Sequence, residues 1–486
     1  MNGSLTLFEV KRLLRNPFLL GSGAVALGWL TVQTWAIVPD WSLVTIGAAT
    51  GGLIVGATAL VVAHVISTRE RRGGMPELLA TLPAQGAARA RAAMWSVGLV
   101  TTFYAGVVMV LHLVSLLPGI PAGRLDVFEV LSGLAAVLLA SVGGVALGRW
   151  LPSPVAGPVA VFVVLLTTQL VDTRRYGSSL AWLLPVPGAH VQPVGLLPRS
   201  SAEHAVYLLA LAALVASIAM LRDGAHWRRM GGVLAGVGVA IPIAVVSIPP
   251  DYSPRTYEKY AASAARSCRT LASVKYCALS SYEPWIPLWA DAITPIVNAM
   301  PPDARGDLPE IRQQLAPPSV GGIDTFRSPP EWPRVTGPEL RWGRNGAESA
   351  FRGRLAGLAV AAAFRFPAPL VPFSESERLN SVLLKASLTG SDGRVCDARG
   401  QGRTIVALWL VMQVSEPGTA TLGGAYYGRQ ELDYARRLDQ APRARERVHR
   451  HWNTLLLPET TVEQAASLLG LPEASDPPMR SARPCG

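Results

Sequence analysis

Hydrophobic residues are unevenly distributed along this chain. In the first half they gather in long runs at 17–38, 43–66, 92–116, 127–147, 155–171, 204–221 and 230–248. An α-helix needs roughly 20 apolar residues to cross a hydrocarbon core, and these runs are close to that length. The stretches 92–111, 130–148, 150–171, 205–221 and 230–250 contain no Asp, Glu, Lys, Arg or His. A charge at the bilayer centre costs about 3 kcal/mol on the insertion scale, and clean gaps are what that cost selects. Buried helices of a large soluble core would not supply so many such runs in one half of a chain.

In the second half, apolar positions are interleaved with charges. Helices are expected at 255–274, 283–299, 346–364, 374–388, 426–452 and 460–470. Thr460-x-x-Glu463 reads as a capping box opening the last of these, and Gly470 as its stop. Residues 301–345, rich in Pro, Gly and charge, read as loop. The apolar segment 404–414 (TIVALWLVMQV) suits a buried helix or a strand equally. The fold class expected is an all-α polytopic membrane bundle of about seven transmembrane helices plus a mainly helical extracytoplasmic domain. Residues 1–16 form an elbow helix, 17–249 the membrane domain and 250–486 the outer domain.

Composition sharpens this division. Of 486 residues, 50% are hydrophobic and 16% charged. Residues 1–250 hold only 16 of the 44 Lys and Arg and 9 of the 33 Asp and Glu. The net charge of +11 would suit nucleic acid, but no basic helix interleaved with aromatics occurs, so a nucleic-acid partner is not expected. The basic residues of the first half sit in short loops, where anionic lipid headgroups lie. With the N-terminus inside, twelve of them (Lys11, Arg12, Arg15, Arg69, Arg71, Arg72, Arg89, Arg91, Arg149, Arg222, Arg228 and Arg229) fall on the cytoplasmic side. Four (Arg124, Arg174, Arg175 and Arg199) fall outside. An odd number of spans then delivers everything after Pro249 to the outside. The first apolar run lacks a small-x-small cleavage site and reads as a retained span rather than a signal peptide. The expected location is the cell membrane, multi-pass, with a cytoplasmic N-terminus and an extracellular C-terminal domain.

The four cysteines, Cys268, Cys277, Cys396 and Cys485, all lie in the region placed outside, and an even count there suits an oxidising compartment. Three connectivities exist. Cys268–Cys277 is favoured because that short loop closes locally, worth roughly 2.7 kcal/mol in the chain-entropy treatment. Cys396–Cys485 would close a far longer loop, worth roughly 4.6 kcal/mol on the same basis. Free thiols are the alternative, and Cys485 sits next to the C-terminus, where ends fray.

Two segments on the cytoplasmic side stand out. Residues 5–17, LTLFEVKRLLRNP, place Leu5, Phe8, Val10, Leu13 and Leu14 on one helical face and Glu9, Lys11, Arg12 and Arg15 on the other. That pattern reads as an amphipathic helix in the headgroup layer, stopped at Asn16-Pro17. Residues 68–91, TRERRGGMPELLATLPAQGAARAR, exceed what turning the chain requires. They contain a short helix at 76–82, opened by Pro76 and ended by Pro83, with Leu78, Leu79 and Leu82 as an apolar face.

The elbow Glu9…Arg12…Arg15-Asn16-Pro17, and the loop Arg69-Glu70-Arg71 with Glu77-Leu78-Leu79…Leu82-Pro83, resemble permease subunits of the ABC-2 exporter class, over roughly residues 5–221. The resemblance implies that the loop carries a coupling helix inserting into a separate ATPase subunit through Arg69, Glu70, Arg71, Glu77, Leu78, Leu79, Leu82 and Pro83. It further implies that permeases pair as homodimers or heterodimers, and that short re-entrant helices cap the path in a connection such as 173–203. An interfacial loop anchored by Tyr176 and Trp182 is the other reading of that connection. Members of that class usually have six spans with both ends inside; this chain departs from them with a seventh span and a large outer domain. The layout also resembles multi-span permease-like proteins of actinobacteria, on Cys277…Tyr282-Glu-Pro-Trp285…Trp289 and Trp452…Pro458-Glu-Thr-Thr461.

Gly47/Gly51 and Gly52/Gly56 let helix backbones approach closely, either within one bundle or at a dimer seam in the second span. No Walker A, H-E-x-x-H or G-x-S-x-G motif occurs, so ATP hydrolysis would fall to another subunit, and neither catalysis nor a cofactor is expected. His449-x-His451 would point about 200° apart on a helix, which does not make a metal site. The expectation is a permease subunit moving a hydrophobic or amphipathic cargo. The alternative is a non-transporting anchor whose outer domain binds a partner or senses the envelope.

Overall fold

The computed structural model describes residues 2–34, 39–72, 86–119, 121–174, 182–185, 200–222, 227–247, 265–308, 310–314, 334–336, 347–366, 396–415, 422, 425–472 and 485. It is mostly helical and falls into two compact units that divide, for most of the chain, between Tyr260 and Ala261.

The N-terminal unit is a helical bundle: α1 (Asn2–Leu13), α2 (Pro17–Thr34), α3 (Trp41–Arg72), α4 (Gly86–Ser115), α5 (Val127–Trp150), α6 (Ala156–Arg174), α7 (Ser201–Leu221) and α8 (Trp227–Ser247). Local chemistry sets the boundaries. Asn16 Oδ1 accepts from the Phe18 N–H (2.9 Å) and the Leu19 N–H (3.4 Å), and Pro17 takes the first helical position, where its missing N–H costs nothing. Asp126 caps α5 in the same way, accepting from Phe128 and Glu129. Threonine and serine hydroxyls inside the helices donate to carbonyls one turn back, as Thr50 does to Ile46 and Ser141 to Val137, so their polarity is satisfied internally.

Four of these helices contain stretches long and apolar enough to cross a membrane: Val44–Arg69, Ala88–Ser115, Val127–Trp150 and Ser201–Leu221. The apolar parts of α6 (Ala156–Thr168) and α8 (Met230–Val246) are shorter. Outward faces are apolar too. Trp95, Leu99, Phe103 and Val110 are exposed along α4, and Phe162, Val163 and Leu165 along α6.

The most extensive packing joins α3 to α5, along a seam of small residues. A Cβ on Gly133 would come within 2.9 Å of Ala49 Cα, one on Gly144 would collide with the Leu60 carbonyl, and one on Gly148 would sit 2.9 Å from the His64 carbonyl. Thr101 on α4 and Ser141 on α5 add a buried hydroxyl pair at 2.7 Å. In lipid, such close backbone contacts and interhelical hydrogen bonds hold helices together, because moving apolar side chains out of hydrocarbon gains nothing.

The C-terminal unit differs from the all-helical expectation. It contains a sheet in the order β1 (Arg266–Leu271), β2 (Val274–Leu279), β3 (Ile311–Gln314) and β4 (Arg334–Thr336), with β1 antiparallel to β2 and the other pairs parallel. The helix expected at 255–274 is therefore a hairpin wherever it is described, and 301–345 contributes two strands and a short 3₁₀ turn rather than loop alone. The hairpin turn is Ala272-Ser273, both at positive φ (48° and 71°), as a two-residue primed turn requires. Neither residue is the usual Gly or Asn, so the turn carried no recognisable signal.

The described helices of this unit are α9 (Ile286–Ala299), α10 (Ala347–Ala363), α11 (Gly402–Met412), α12 (Arg429–Gln440), α13 (Ala444–Leu455) and α14 (Val462–Leu468). A two-stranded parallel pair, β5 (Cys396–Asp397) and β6 (Ala425–Tyr426), lies among them. The apolar segment 404–414 is a helix, and residues 404–411 are wholly buried. The single helix expected over 426–452 is broken at Ala441-Pro442-Arg443, where Pro442 has no N–H to donate and Arg443 turns to φ 56°.

The last cap sits one residue later than expected. Thr461, not Thr460, accepts from the Gln464 N–H, while Thr460 Oγ1 donates to the Thr454 carbonyl at 2.6 Å. Gly470, at φ 62°, ends that helix as expected. The helix expected at 374–388 lies outside the described residues.

Candidate functional site

Side chains from α1, α3 and α4 meet at one end of the bundle. Thr6, Glu9, Val10 and Leu13 form the inward stripe of α1, with Leu13 fully packed, whereas Leu7, Phe8 and Leu14 face outward. This corrects the expected division of the elbow: Phe8 is on the exposed face and Glu9 on the packed one. The reason is an ion pair, Glu9 Oε1 to Arg69 Nη2 at 3.8 Å, joining α1 to α3; the other oxygen, Glu9 Oε2, is buried with no hydrogen-bond partner among the described residues. The Tyr104 hydroxyl donates to the Leu14 carbonyl at 2.7 Å and ties the elbow to α4. Arg12, Arg15 and Pro17 are exposed beside it. Glu70 and Arg71 lie on the last turn of α3. Glu77, Leu78, Leu79, Leu82 and Pro83 lie outside the described residues.

A second polar constellation closes the opposite end of the bundle. The Ser201 hydroxyl, at the start of α7, lies 2.6 Å from Asp126 Oδ2 and 3.2 Å from Glu129 Oε2. Both carboxylates belong to the start of α5, where the positive end of the helix dipole favours negative charge. Beside them lie residues 182–185, within the 173–203 connection. Trp182 is completely buried, donates from Nε1 to Ser200 Oγ (2.9 Å), and packs against His204 and Tyr207 with ring centroids 5.2 and 5.1 Å away. His204 Nε2 lies 3.2 Å from the Leu184 carbonyl, and the Tyr207 hydroxyl donates to the Leu183 carbonyl at 3.4 Å. Ala135 and Ala136 of α5 and Ala240 of α8 complete the surroundings of Trp182.

Asp126, Glu129 and His204 are ionisable residues close to the ends of apolar runs, and sequence alone assigns them no role. Two signals pointed to their association: the i, i+3 spacing of Asp126 and Glu129 on one helical face, and the Ser200-Ser201 pair opening the next long helix. Reading Trp182 as an interfacial anchor is corrected by its burial. The buried ring packs residues 182–183 into one cluster with side chains of α5, α7 and α8, and Tyr176 lies outside the described residues.

The glycines of α3 pack within the chain. A Cβ on Gly51 would come within 2.6 Å of the Leu30 side chain, one on Gly52 would collide with Met109 Cε, and one on Gly56 would lie 3.6 Å from Val137 Cα. Gly47 meets nothing within 4 Å. With Gly51, Gly52 and Gly56 occupied by α2, α4 and α5, the dimer-seam reading of the second span is displaced by packing inside one bundle.

In the C-terminal unit both disulfides form. Cys268–Cys277 bridges directly opposed positions of the hairpin, and Cys396–Cys485 spans a separation of 89 residues. The second bond fixes Cys485 among buried groups. Its carbonyl accepts from Gln401 Nε2 (2.8 Å) and Arg403 Nη2 (2.6 Å), while Arg403 Nη1 donates to the Phe364 carbonyl (3.3 Å) and the guanidinium covers the Phe366 ring. Burial pulls the Arg403 pKa below its usual value, while its bonds to the Cys485 and Phe364 carbonyls draw on its guanidinium N–H groups. Among the described residues no group of His, Cys, Asp and Glu is arranged to hold a metal ion. No protein-family model, curated protein or solved structure matches this chain.

Proposed function

We propose that the chain is the membrane-spanning permease subunit of an ATP-driven exporter, working with a separate ATPase. One observation carries the reading. α3 and α4, with 32 and 30 residues, are the longest helices described and would extend about 48 and 45 Å, against a hydrocarbon core of about 30 Å. They flank residues 73–85, and the Glu9–Arg69 pair fastens α1 to the end of α3 that leads into that loop. Two helices overrunning the membrane on either side of a loop whose sequence holds Glu77 beside Leu78, Leu79 and Leu82 suit a stalk that receives force from a partner outside the bilayer. In this reading Arg69, Glu70, Glu77, Leu78 and Leu79 form the ATPase contact. Seven helices, α2 to α8, span the membrane, the N-terminus is cytoplasmic and the C-terminal unit extracytoplasmic. Permeases pair as homodimers or heterodimers, and the cargo is hydrophobic or amphipathic. The Trp182 constellation closes the outer end of the path. No resident cofactor enters the scheme.

Affinity purification from gently solubilised membranes tests it. A P-loop ATPase should accompany the protein and be lost on Glu77→Ala/Leu78→Ala substitution, with both disulfides intact. Absence of any such ATPase from the preparation overturns the reading. The disulfide-tied C-terminal unit favours a second reading, a non-transporting anchor that presents this unit to an envelope ligand. That reading gains if the double substitution changes nothing and no ATPase is bound.

A further inference from the structure

Helix α9 has two chemically different sides. Ala292, Ile293, Ile296 and Val297 are buried, whereas Asp291, Thr294, Pro295 and Asn298 recur at i, i+3, i+4 and i+7 and form a single stripe. That stripe is one wall of a cleft of about 580 Å³ in the C-terminal unit. The remaining lining comes from Arg352 on α10, Gln413 just past α11 and Arg445 in the first turn of α13. The volume falls within the range of small-molecule sites. Among the described residues no aromatic ring lines the cleft, and the lining offers an occupant charge and hydrogen bonds.

The polar groups are divided by type. Gln413 spends its amide N–H groups on Asp439 Oδ1 (2.9 Å) and the Trp409 carbonyl (3.1 Å), which leaves its carbonyl oxygen as an acceptor. The Thr294 hydroxyl donates to the Ala290 carbonyl at 2.7 Å and likewise retains only acceptor capacity. With the Asp291 carboxylate they make three acceptors suited to an N–H-rich cation. Arg352 and Arg445 supply guanidinium donors suited to an acid group. Asp291 and Arg445 have no ion-pair partner among the described residues, although both line one cleft. Asp291 and Arg445, opposite in sign along one open cleft, match a ligand that carries both charges.

We propose that this cleft binds a small zwitterion, its ammonium toward Asp291 and its acid group toward Arg352 and Arg445. The inference is independent of the permease reading. Two sources share this chemistry: free amino acids or short peptides, and the ethanolamine-phosphate headgroup of a lipid.

Calorimetry on the full chain in phosphatidylglycerol nanodiscs tests it, with dialanine and glycerophosphoethanolamine as probes. At least one should bind saturably, and preference for one identifies the source. Asp291→Asn should weaken that probe at least tenfold, and Arg445→Gln should do the same. Where dialanine binds, N-acetylation should weaken it at least tenfold in the native protein and make little difference in the Asp291→Asn variant. Both side chains are exposed, and unchanged circular dichroism checks that the variants fold. If neither probe binds, or if binding survives both substitutions unchanged, the assignment is wrong.

Discussion

Helix α4 turns Trp95, Leu99, Phe103 and Val110 outward, with Trp95 67% exposed. Helix α12 turns Arg429, Asp433, Arg436, Arg437 and Asp439 outward and buries Tyr434, Ala435 and Leu438. The backbone hydrogen bonding is the same in both, but the surroundings each helix suits are opposite. What holds each unit together differs in the same sense. The bundle relies on glycine-to-backbone approach between α3 and α5 and on hydroxyls bonded inside their own helices. The C-terminal unit relies on an aromatic and aliphatic core, Trp289, Ile293, Ile296 and Tyr282 among it, and on two disulfides. A core of large apolar groups stabilises only where water is the alternative solvent; close packing of small residues serves where lipid is the alternative.

Each side of this comparison can be broken separately. The largest effect is expected from removing the long disulfide. Cys396→Ser/Cys485→Ser should destabilise the C-terminal unit by about 2–5 kcal/mol, because it frees the longer loop and releases the Cys485 carbonyl from Arg403. Thermal melting followed by near-ultraviolet circular dichroism reads this, and the helix signal of the bundle should be unaffected. Next comes Phe103→Arg, which places a charge on the outward face of α4. Its insertion cost should be about 3 kcal/mol, visible as reduced membrane integration, whereas Arg436→Leu on α12 should change stability by no more than about 0.5 kcal/mol. Equal tolerance of both substitutions would remove the contrast between the two surfaces.

Gly144→Ala should cost about 1–3 kcal/mol by forcing α5 away from the Leu60 carbonyl, measured as a lower melting temperature in detergent, while Gly143→Ala, which meets nothing within 4 Å, should be neutral. The smallest effect expected is a gain. Ser273→Gly relieves a residue held at φ 71° and should stabilise the hairpin by about 1 kcal/mol, seen as slower amide exchange across β1 and β2.

The bundle's helices could be read from the sequence because a lipid-facing helix announces itself in composition alone. Runs without charge mark the core of each, and Asn16-Pro17 and Asp126 mark starts. Reading was harder wherever a long-range contact overrides local pattern. Glu9 was assigned to a polar face because it is charged, and only its pairing with Arg69, sixty residues away, turns it inward. Trp182 resembled an interfacial ring because nothing nearby announces that His204 and Tyr207 will enclose it. The hairpin at 266–279 was missed because its turn uses Ala272 and Ser273, residues without positive-φ preference, and because the strands depend on β3 from a region read as loop. The cap at Thr461 was displaced by one residue because Thr460 is committed to Thr454. The polar stripe of α9 is visible as a period in the sequence, but that Arg352 and Arg445 face it is a property of the fold alone.

The proposed topology puts the bundle in lipid and the C-terminal unit outside the cell. Single cysteines placed at two exposed positions, Arg12→Cys on α1 and Arg436→Cys on α12, test it most directly with a membrane-impermeant maleimide. The expected result is labelling at position 436 in intact cells, and at position 12 only after lysis. Labelling of position 12 in intact cells, or protection of position 436 until lysis, would contradict the account.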